Sequence, residues 1–145
     1  MAERLTIIDF TERSVKRFPQ NTFLREKVNG IWTETTFQQT RDAGRQLAAG
    51  FMALGMQKGD KAALLSEGRN LWVISELGIL YAGGVNVPLS IKLEESNDLL
   101  FRIRHSDSKS DYRPLPQYPL QASRFLLLEQ GFYYIAALQH DYNCR

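Results

Sequence analysis

The pattern of hydrophobic and polar positions predicts two amphipathic helices in the first half of the chain. Apolar residues recur at helical spacing from Ile7 to Phe18 and again from Phe37 to Leu54. Thr6 precedes the first helix, and Thr36 with Gln39 has the spacing of a capping box before the second. Because such side chains satisfy backbone amides that a helix start leaves free, we predict both helix starts at these positions.

Between these helices, two short segments predict a β-hairpin. Thr22–Val28 and Ile31–Thr35 are rich in β-branched and aromatic residues, and Asn29-Gly30 separates them. Asn-Gly is the preferred pair for a type I′ turn, because both central residues of that turn need positive φ. We therefore predict two antiparallel strands joined by this turn.

The central part of the chain predicts a parallel β-α-β unit. Ala62–Leu65 is continuously apolar, as expected of a strand covered on both faces. Asn70 is a candidate N-cap for the following helix, Gly83-Gly84 ends it, and Val85–Val87 returns as a strand. A connection of this length joins parallel strands. The apolar positions of the helix are Trp72, Val73, Leu77 and Leu80.

The character of the sequence changes after Lys109. A further helix is predicted from Glu94 to Arg104, and an alternating α/β pattern predicts a strand directly after it. Instead, the segment from Ser110 to Pro119 contains three of the five prolines in the chain, which excludes a central strand. The remainder of the chain, through Phe132-Tyr133-Tyr134 to Arg145, has the pattern of one amphipathic helix. We therefore divide the chain into residues 1–109 and a divergent tail, 110–145.

Composition narrows the class of protein. A chain of 145 residues is enough for one ordinary domain, and 43% hydrophobic with 23% charged residues is typical of a soluble globular protein. A net charge of +2, with scattered basic residues, predicts no nucleic-acid partner. No signal peptide is recognisable, and no apolar run reaches the roughly 18 residues that span a bilayer. Cys144 is the single cysteine, which suits a reducing compartment, so we predict a cytoplasmic protein.

Few residues have the spacing that catalysis or metal binding needs. His105-Ser106-Asp107 contains the residue types of a catalytic triad, but consecutive residues cannot form its geometry. His140 and Cys144 could supply at most two metal ligands. Four other features are interpreted as structural: Gly78 and Gly83-Gly84 without a following Lys-Ser/Thr pair, Glu94-Glu95 at a helix start, Asp60 in a turn, and Trp72 in a core. We predict no catalytic, cofactor-binding or metal-binding residue in the chain.

Several motifs follow one another in a fixed order over the first three-quarters of the chain. The most informative are Lys58-Gly59-Asp60-Lys61-Ala62-Ala63-Leu64, Asn70-Leu71-Trp72 and the run from Ala82 to Leu89. In order and spacing they resemble the N-terminal region of AMP-forming acyl-CoA synthetases, and the long-chain fatty-acid branch is the most similar. Gln39 and Asn70-Leu71 depart from the family pattern, which has Glu and Pro-Glu there, but both lie at helix starts.

The resemblance implies a fold, a reaction and a set of cofactors. The fold is α/β: a partial N-terminal lobe of an adenylate-forming ligase with a β-hairpin, a parallel β-α-β unit, flanking helices and an incomplete sheet. The family joins a carboxylate to ATP with release of pyrophosphate and passes the acyl group to coenzyme A, using Mg²⁺. Its members are several times longer. They carry a Ser/Thr/Gly-rich phosphate loop ending in Lys, a Tyr-Gly-x-Thr-Glu motif, a ribose-binding Asp and a C-terminal Lys, all absent from this sequence.

We therefore expect a truncated ligase that is inactive alone, binds no cofactor, and meets fatty acid and coenzyme A only in the full-length family. The change after Lys109 leads to the hypothesis of a frameshift: codons for Asp111-Tyr112-Arg113, read from the second base, permit Ile-Ile-Val.

The alternative is a non-catalytic interaction module that pairs with a full-length synthetase or another partner. Two parallel strands with an unfilled edge would favour such pairing or self-association. A small nucleotide-binding protein has no positive support in the sequence.

Overall fold

A computed structural model describes residues 4–66, 68–90, 101–102 and 105–106, together with the backbone of 133–136. These residues form the α/β arrangement that the sequence predicts, with a separate hairpin and an open sheet of parallel strands. The elements in chain order are α1 (Ile7–Arg17), β1 (Thr22–Val28), β2 (Ile31–Thr36), α2 (Phe37–Ala53), β3 (Lys61–Leu65), α3 (Asn70–Tyr81), β4 (Val85–Leu89) and β5 (Tyr133–Ala136).

Both predicted helix caps are present, and the structure shows a capping box at α1 as well as the predicted one at α2. At α1, the amide of Asp9 donates to Thr6 Oγ1 over 3.2 Å, and the amide of Thr6 donates to Asp9 Oδ2 over 2.8 Å. At α2, the amide of Gln39 donates to Thr36 Oγ1 over 3.2 Å, and the amide of Thr36 donates to Gln39 Oε1 over 2.9 Å. An amide oxygen therefore completes the second box as a carboxylate would, so Gln39 leaves this helix start intact.

The hairpin has the predicted turn. Strands β1 and β2 pair antiparallel up to Val28 and Ile31, and the turn residues Asn29 and Gly30 have φ of 49° and 82°. Positive φ at both central residues is the requirement of the type I′ turn. The ring of Phe23 stacks on that of Phe37 with centroids 4.4 Å apart, which attaches the hairpin to the start of α2.

Strand β3 lies in the middle of the parallel sheet, in the order β4-β3-β5. It pairs with β4 from Lys61 opposite Val85 to Leu65 opposite Leu89. Its four apolar side chains are buried, at most 3% exposed. Burial on both faces confirms the interpretation of the continuous apolar run. The principal core cluster is formed by Ala48, Phe51, Met56, Ala62, Leu64, Ile79 and Ala82.

Helices α2 and α3 pack closely because a glycine of each helix faces a leucine of the other. A Cβ placed on Gly44 would lie 3.2 Å from Leu77 Cβ, and one placed on Gly78 would lie 2.9 Å from Leu47 Cβ. Gly44 therefore allows the close approach of α2 to α3. Gly50, also in α2, takes no part in this contact, because it is exposed and has open space where a Cβ would stand.

The predicted cap of α3 is wrong. Arg69 is the N-cap residue and makes no side-chain capping bond, while Asn70 is already inside the helix. The amide of Asn70 donates to Glu26 Oε2 over 3.3 Å, and its side-chain Nδ2 donates to Thr35 Oγ1 over 3.3 Å. The hairpin thus supplies the acceptor for this helix start, and a carboxylate there also favours the helix dipole.

The tail contributes a strand where the sequence predicts a helix. Tyr133–Ala136 forms β5, which pairs parallel with β3. Aromatic and β-branched residues favour a strand there, and pairing with the buried β3 outweighs the helical pattern. The two parallel strands predicted with an unfilled edge are consequently part of a three-stranded sheet. Of the helix predicted from Glu94 to Arg104, the structure describes only Phe101 and Arg102, which are helical; the remainder lies outside the described residues.

Candidate functional site

Of the glycines nearest to a phosphate-binding pattern, Gly78 lies inside α3, and Gly83 and Gly84 use their amides in turns, as does the neighbouring Gly59. The amide of Gly83 donates to the carbonyl of Leu80 over 3.0 Å, and that of Gly84 to the carbonyl of Ile79 over 2.9 Å. The amide of Gly59 donates to the carbonyl of Gly83 over 2.8 Å. A phosphate cradle needs amides that point at the ligand. These three amides instead end α3 and join the turns that precede β3 and β4.

Asp60 and Trp72 also have structural roles. Asp60 is 8% exposed, and its Oδ2 accepts from the amide of Gln57 over 2.8 Å. Its carbonyl accepts from the amide of Val85 over 2.7 Å, at the beginning of β4. Trp72 is partly buried against the core cluster. The geometry thus agrees with the interpretation of both residues as scaffold.

A polar cluster joins the first three helices. Glu12 Oε1 on α1 accepts from Arg45 Nη2 over 2.8 Å and from the Tyr81 hydroxyl over 2.7 Å. Arg41 Nη1 lies 3.9 Å from Glu12 Oε2. Burial raises the pKa of Tyr81, and the hydrogen bond to Glu12 and the negative charge of Glu12 raise that pKa further. Tyr81 is therefore a neutral donor that fixes the position of Glu12.

A shallow groove of about 540 Å³ lies beside this cluster, between α1 and the start of α2. Its polar lining includes Arg13, Lys16 and Arg41 together with Glu12. Arg41 is held by Asp42 through bonds of 2.9 Å from Nε and 2.7 Å from Nη2, which raise the pKa of Arg41. The groove carries charges of both signs and no pair of groups arranged as nucleophile and base, so it suits helix packing better than catalysis.

The remaining candidates of the sequence analysis are only partly described. The ring of His105 stacks on Phe101 with centroids 5.5 Å apart, and the amide of Ser106 donates to the carbonyl of Arg102 over 3.0 Å. Asp107, Glu94-Glu95, His140 and Cys144 lie outside the described residues. Within the described part of the chain, no three His, Cys, Asp or Glu side chains are grouped to hold a metal ion. None of its helices is long and apolar enough to cross a membrane.

Two interactions were not predicted from the sequence. In the cluster on Glu12, Arg45 is 33 residues away and Tyr81 is 69 residues away. Glu26 and Asn70 are separated by 44 residues. None of these three pairs has a local spacing rule such as those that identify a capping box or a hairpin turn, so only the folded chain brings these residues together.

The described residues thus form an α/β scaffold. Its turns, helix caps and polar cluster connect helices and strands to one another. The sequence model of the AMP-binding enzyme family matches residues 11–110, which is more than half of the chain. The chain belongs to this family. The family match ends near the position where the sequence predicts a change, after Lys109.

Similar proteins agree with this assignment. A long-chain-fatty-acid–CoA ligase, FadD15, of Mycobacterium bovis is 32% identical over 71 residues, which are 49% of this chain and 12% of that protein. The 4-hydroxybutyrate–CoA ligase 2 of Metallosphaera sedula is 33% identical over 105 residues, 72% of this chain and 18% of that protein. In fold, the chain is similar to Klebsiella oxytoca NpsA with a TM-score of 0.68 and 16% identity, over 93% of this chain and 25% of NpsA. The chain therefore spans only a small part of the length of these relatives.

Proposed function

We propose that these 145 residues provide part of the N-terminal scaffold of an AMP-forming carboxylate–CoA ligase of the long-chain fatty-acid type. We further propose that they do not perform its reaction by themselves. The family match over residues 11–110 and the ligase relatives support the first statement. The observation that carries the second is the engagement of the glycine amides at 59, 83 and 84 in turns.

The chemistry of adenylation explains why this engagement matters. The reaction brings a carboxylate against a polyphosphate, so it depends on donors and cations that neutralise developing negative charge. The described residues do not fit a nucleotide phosphate, because Gly83 and Gly84 direct their amides to helix carbonyls. They do not fit Mg²⁺ either, since the described residues hold no grouped carboxylates that could bind it. We propose that ATP, Mg²⁺ and coenzyme A meet residues of a longer ligase.

The test is an assay of the purified chain for fatty-acid-dependent exchange between ATP and labelled pyrophosphate. We expect no exchange above the level without fatty acid, because the described residues do not place donors or cations where the adenylation transition state would need them. The ligase FadD15 of M. bovis, assayed in parallel, serves as the positive control. Exchange by the chain that requires both ATP and fatty acid would contradict the proposal.

The second candidate is the non-catalytic module that pairs with a full-length synthetase. It is favoured by apolar side chains that remain exposed on the described surface, above all Ile31 at 70% and Trp32 at 60% on the hairpin. Light scattering of the chain alone and mixed with a ligase separates the candidates. A complex of defined mass would favour the module, whereas a stable monomer that binds nothing would count against it.

We also propose a cytoplasmic location, supported by the single cysteine.

A further inference from the structure

Strand β5 occupies an unusual place for a segment so far along the chain. It pairs with β3 in parallel, with Ala62 opposite Tyr133 and Leu65 opposite Ala136, and residues 90–132 lie between β4 and β5. The α/β pattern predicts a strand beside the central one directly after the helix at 94–104. The position in the sheet is therefore filled from the tail, not from the segment that follows the predicted helix.

The edge of β3 needs an occupant for physical reasons. Its side chains from Ala62 to Leu65 are buried on both faces, so the strand has the character of a central strand. With only β4 beside it, β3 would present a row of unpaired amides and carbonyls along an apolar surface. Such an edge pairs readily with an extended segment, because main-chain hydrogen bonds supply the affinity.

Strand β5, which fills the β3 edge within the same chain, is short and far from β3 in sequence. The pairing extends over four residues, and its formation must close a long loop, which costs conformational entropy. By contrast, β4 follows β3 through the compact crossover of α3. The contact between β3 and β5 is therefore the weaker of the two pairings of β3, and the more readily exchanged.

We propose that the β3 edge is a strand-binding site, filled in cis by residues 133–136 and able to accept the same extended aromatic–aliphatic sequence in trans. This inference goes beyond the ligase scaffold, because it concerns which segment completes the sheet. The ligand class is an extended peptide with the sequence of the tail strand, running parallel to β3.

Amide hydrogen exchange of the full chain, resolved by NMR, tests the proposal. In a strand with neighbours on both sides, successive amides point alternately to one neighbour and the other. In the natural chain we expect all amides of β3 to be protected. In Ile135→Pro, which removes a donor and breaks the strand, alternate amides should exchange about tenfold faster or more, because each loses a hydrogen bond to β5. The amides bonded to β4 are the internal control, and Ile135→Val is the matched variant that keeps strand propensity.

A synthetic peptide of residues 131–138, added to Ile135→Pro, tests the trans part of the proposal. We expect it to restore protection of the same alternate amides, and we expect the peptide carrying Ile135→Pro not to restore it. Alternating protection in the natural chain would overturn the proposal without any variant. Unchanged protection in Ile135→Pro, or no recovery with the intact peptide, would overturn it as well.

Discussion

At the scale of single residues, the contact between α2 and α3 depends on glycines that have no room for a side chain. Gly78 meets Leu47, and the added methyl group of Gly78→Ala would stand 2.9 Å from both its Cβ and its Cδ2. We expect this substitution to lower the free energy of unfolding by about 1–3 kcal/mol, because the overpacking outweighs the better helix propensity of alanine. Urea denaturation measures the change.

Gly50→Ala is the matched control, since it lies in α2 with nothing within 4 Å of an added Cβ. There the helix propensity acts alone, and we expect a gain of about 0.5–1 kcal/mol in the free energy of unfolding. If Gly78→Ala raised the free energy of unfolding as Gly50→Ala does, the close packing of α2 on α3 at Gly78 would be wrong.

Tyr81 makes the free energy of unfolding depend on pH in the alkaline range. Its pKa in the folded chain is raised by burial and by Glu12, while the unfolded chain titrates near the ordinary pKa of about 10. Above that pH the unfolded chain releases the proton and the folded chain keeps it, so the free energy of unfolding falls as pH rises. Below that pH the contribution is constant. We expect a loss of at most about 1.4 kcal/mol by pH 11 from this residue, the limit reached if the folded chain keeps its proton throughout.

Unfolding measured from pH 8 to 11 checks this dependence. Tyr81→Phe should show a shallower decline than the natural chain, because the titrating hydroxyl is gone. Glu12→Gln should also be shallower, since it removes the charge that helps to raise the pKa of Tyr81. Declines of equal slope in all three proteins would contradict the assigned role of the cluster.

At the scale of elements, the hairpin stabilises the start of α3. Glu26 accepts the amide of Asn70, and the carboxylate lies at the positive end of the helix dipole. We expect Glu26→Ala to lower the free energy of unfolding by about 1 kcal/mol, by analogy with the loss of a helix cap. Glu26→Gln keeps a hydrogen-bond acceptor and loses only the negative charge, so its free energy of unfolding should fall by about half as much. Added salt should weaken that charge contribution in the natural chain. Equal stability of Glu26→Ala and the natural chain, measured by urea denaturation, would contradict this contact.

The elements that were predicted correctly have local signals. Asn29-Gly30 specifies a turn, the Thr36–Gln39 spacing a helix start, and the apolar run 62–65 a buried strand. The errors at Asn70 and at β5 arise where the deciding partner is distant in sequence. Asn70 is displaced as a cap by Glu26 from the hairpin, and Tyr133–Ala136 becomes a strand through β3. Local patterns do not contain those partners, so the sequence could not predict either outcome.

At the scale of the whole molecule, the assignment depends on order and spacing more than on any single residue. The motifs from Lys58 to Leu89 predicted the family, and the family match over residues 11–110 confirms it. The residues predicted to be structural agree with this, since Gly83-Gly84 and Asp60 lie in turns. The division at Lys109 and the frameshift hypothesis stay predictions, which sequencing of the genomic DNA around the codons for residues 109–113 can test.

We propose above that this chain is ligase scaffold and supplies no catalytic group. A chimera tests it most directly: in 4-hydroxybutyrate–CoA ligase 2 of M. sedula, the segment that aligns over 105 residues is replaced by the matching segment of this chain. Gly84→Val in the chimera is the control that disrupts the graft, because its Cβ would stand 3.1 Å from the carbonyl oxygen of Asp60.

The measurement is 4-hydroxybutyrate-dependent formation of AMP by this chimera in the presence of coenzyme A. We expect the chimera to form AMP and to keep the acid preference of the recipient enzyme, while the Gly84→Val chimera loses activity together with its folded structure. A chimera that folds and binds ATP but forms no AMP would overturn the scaffold role, because the replaced segment of the recipient enzyme would then carry catalytic groups.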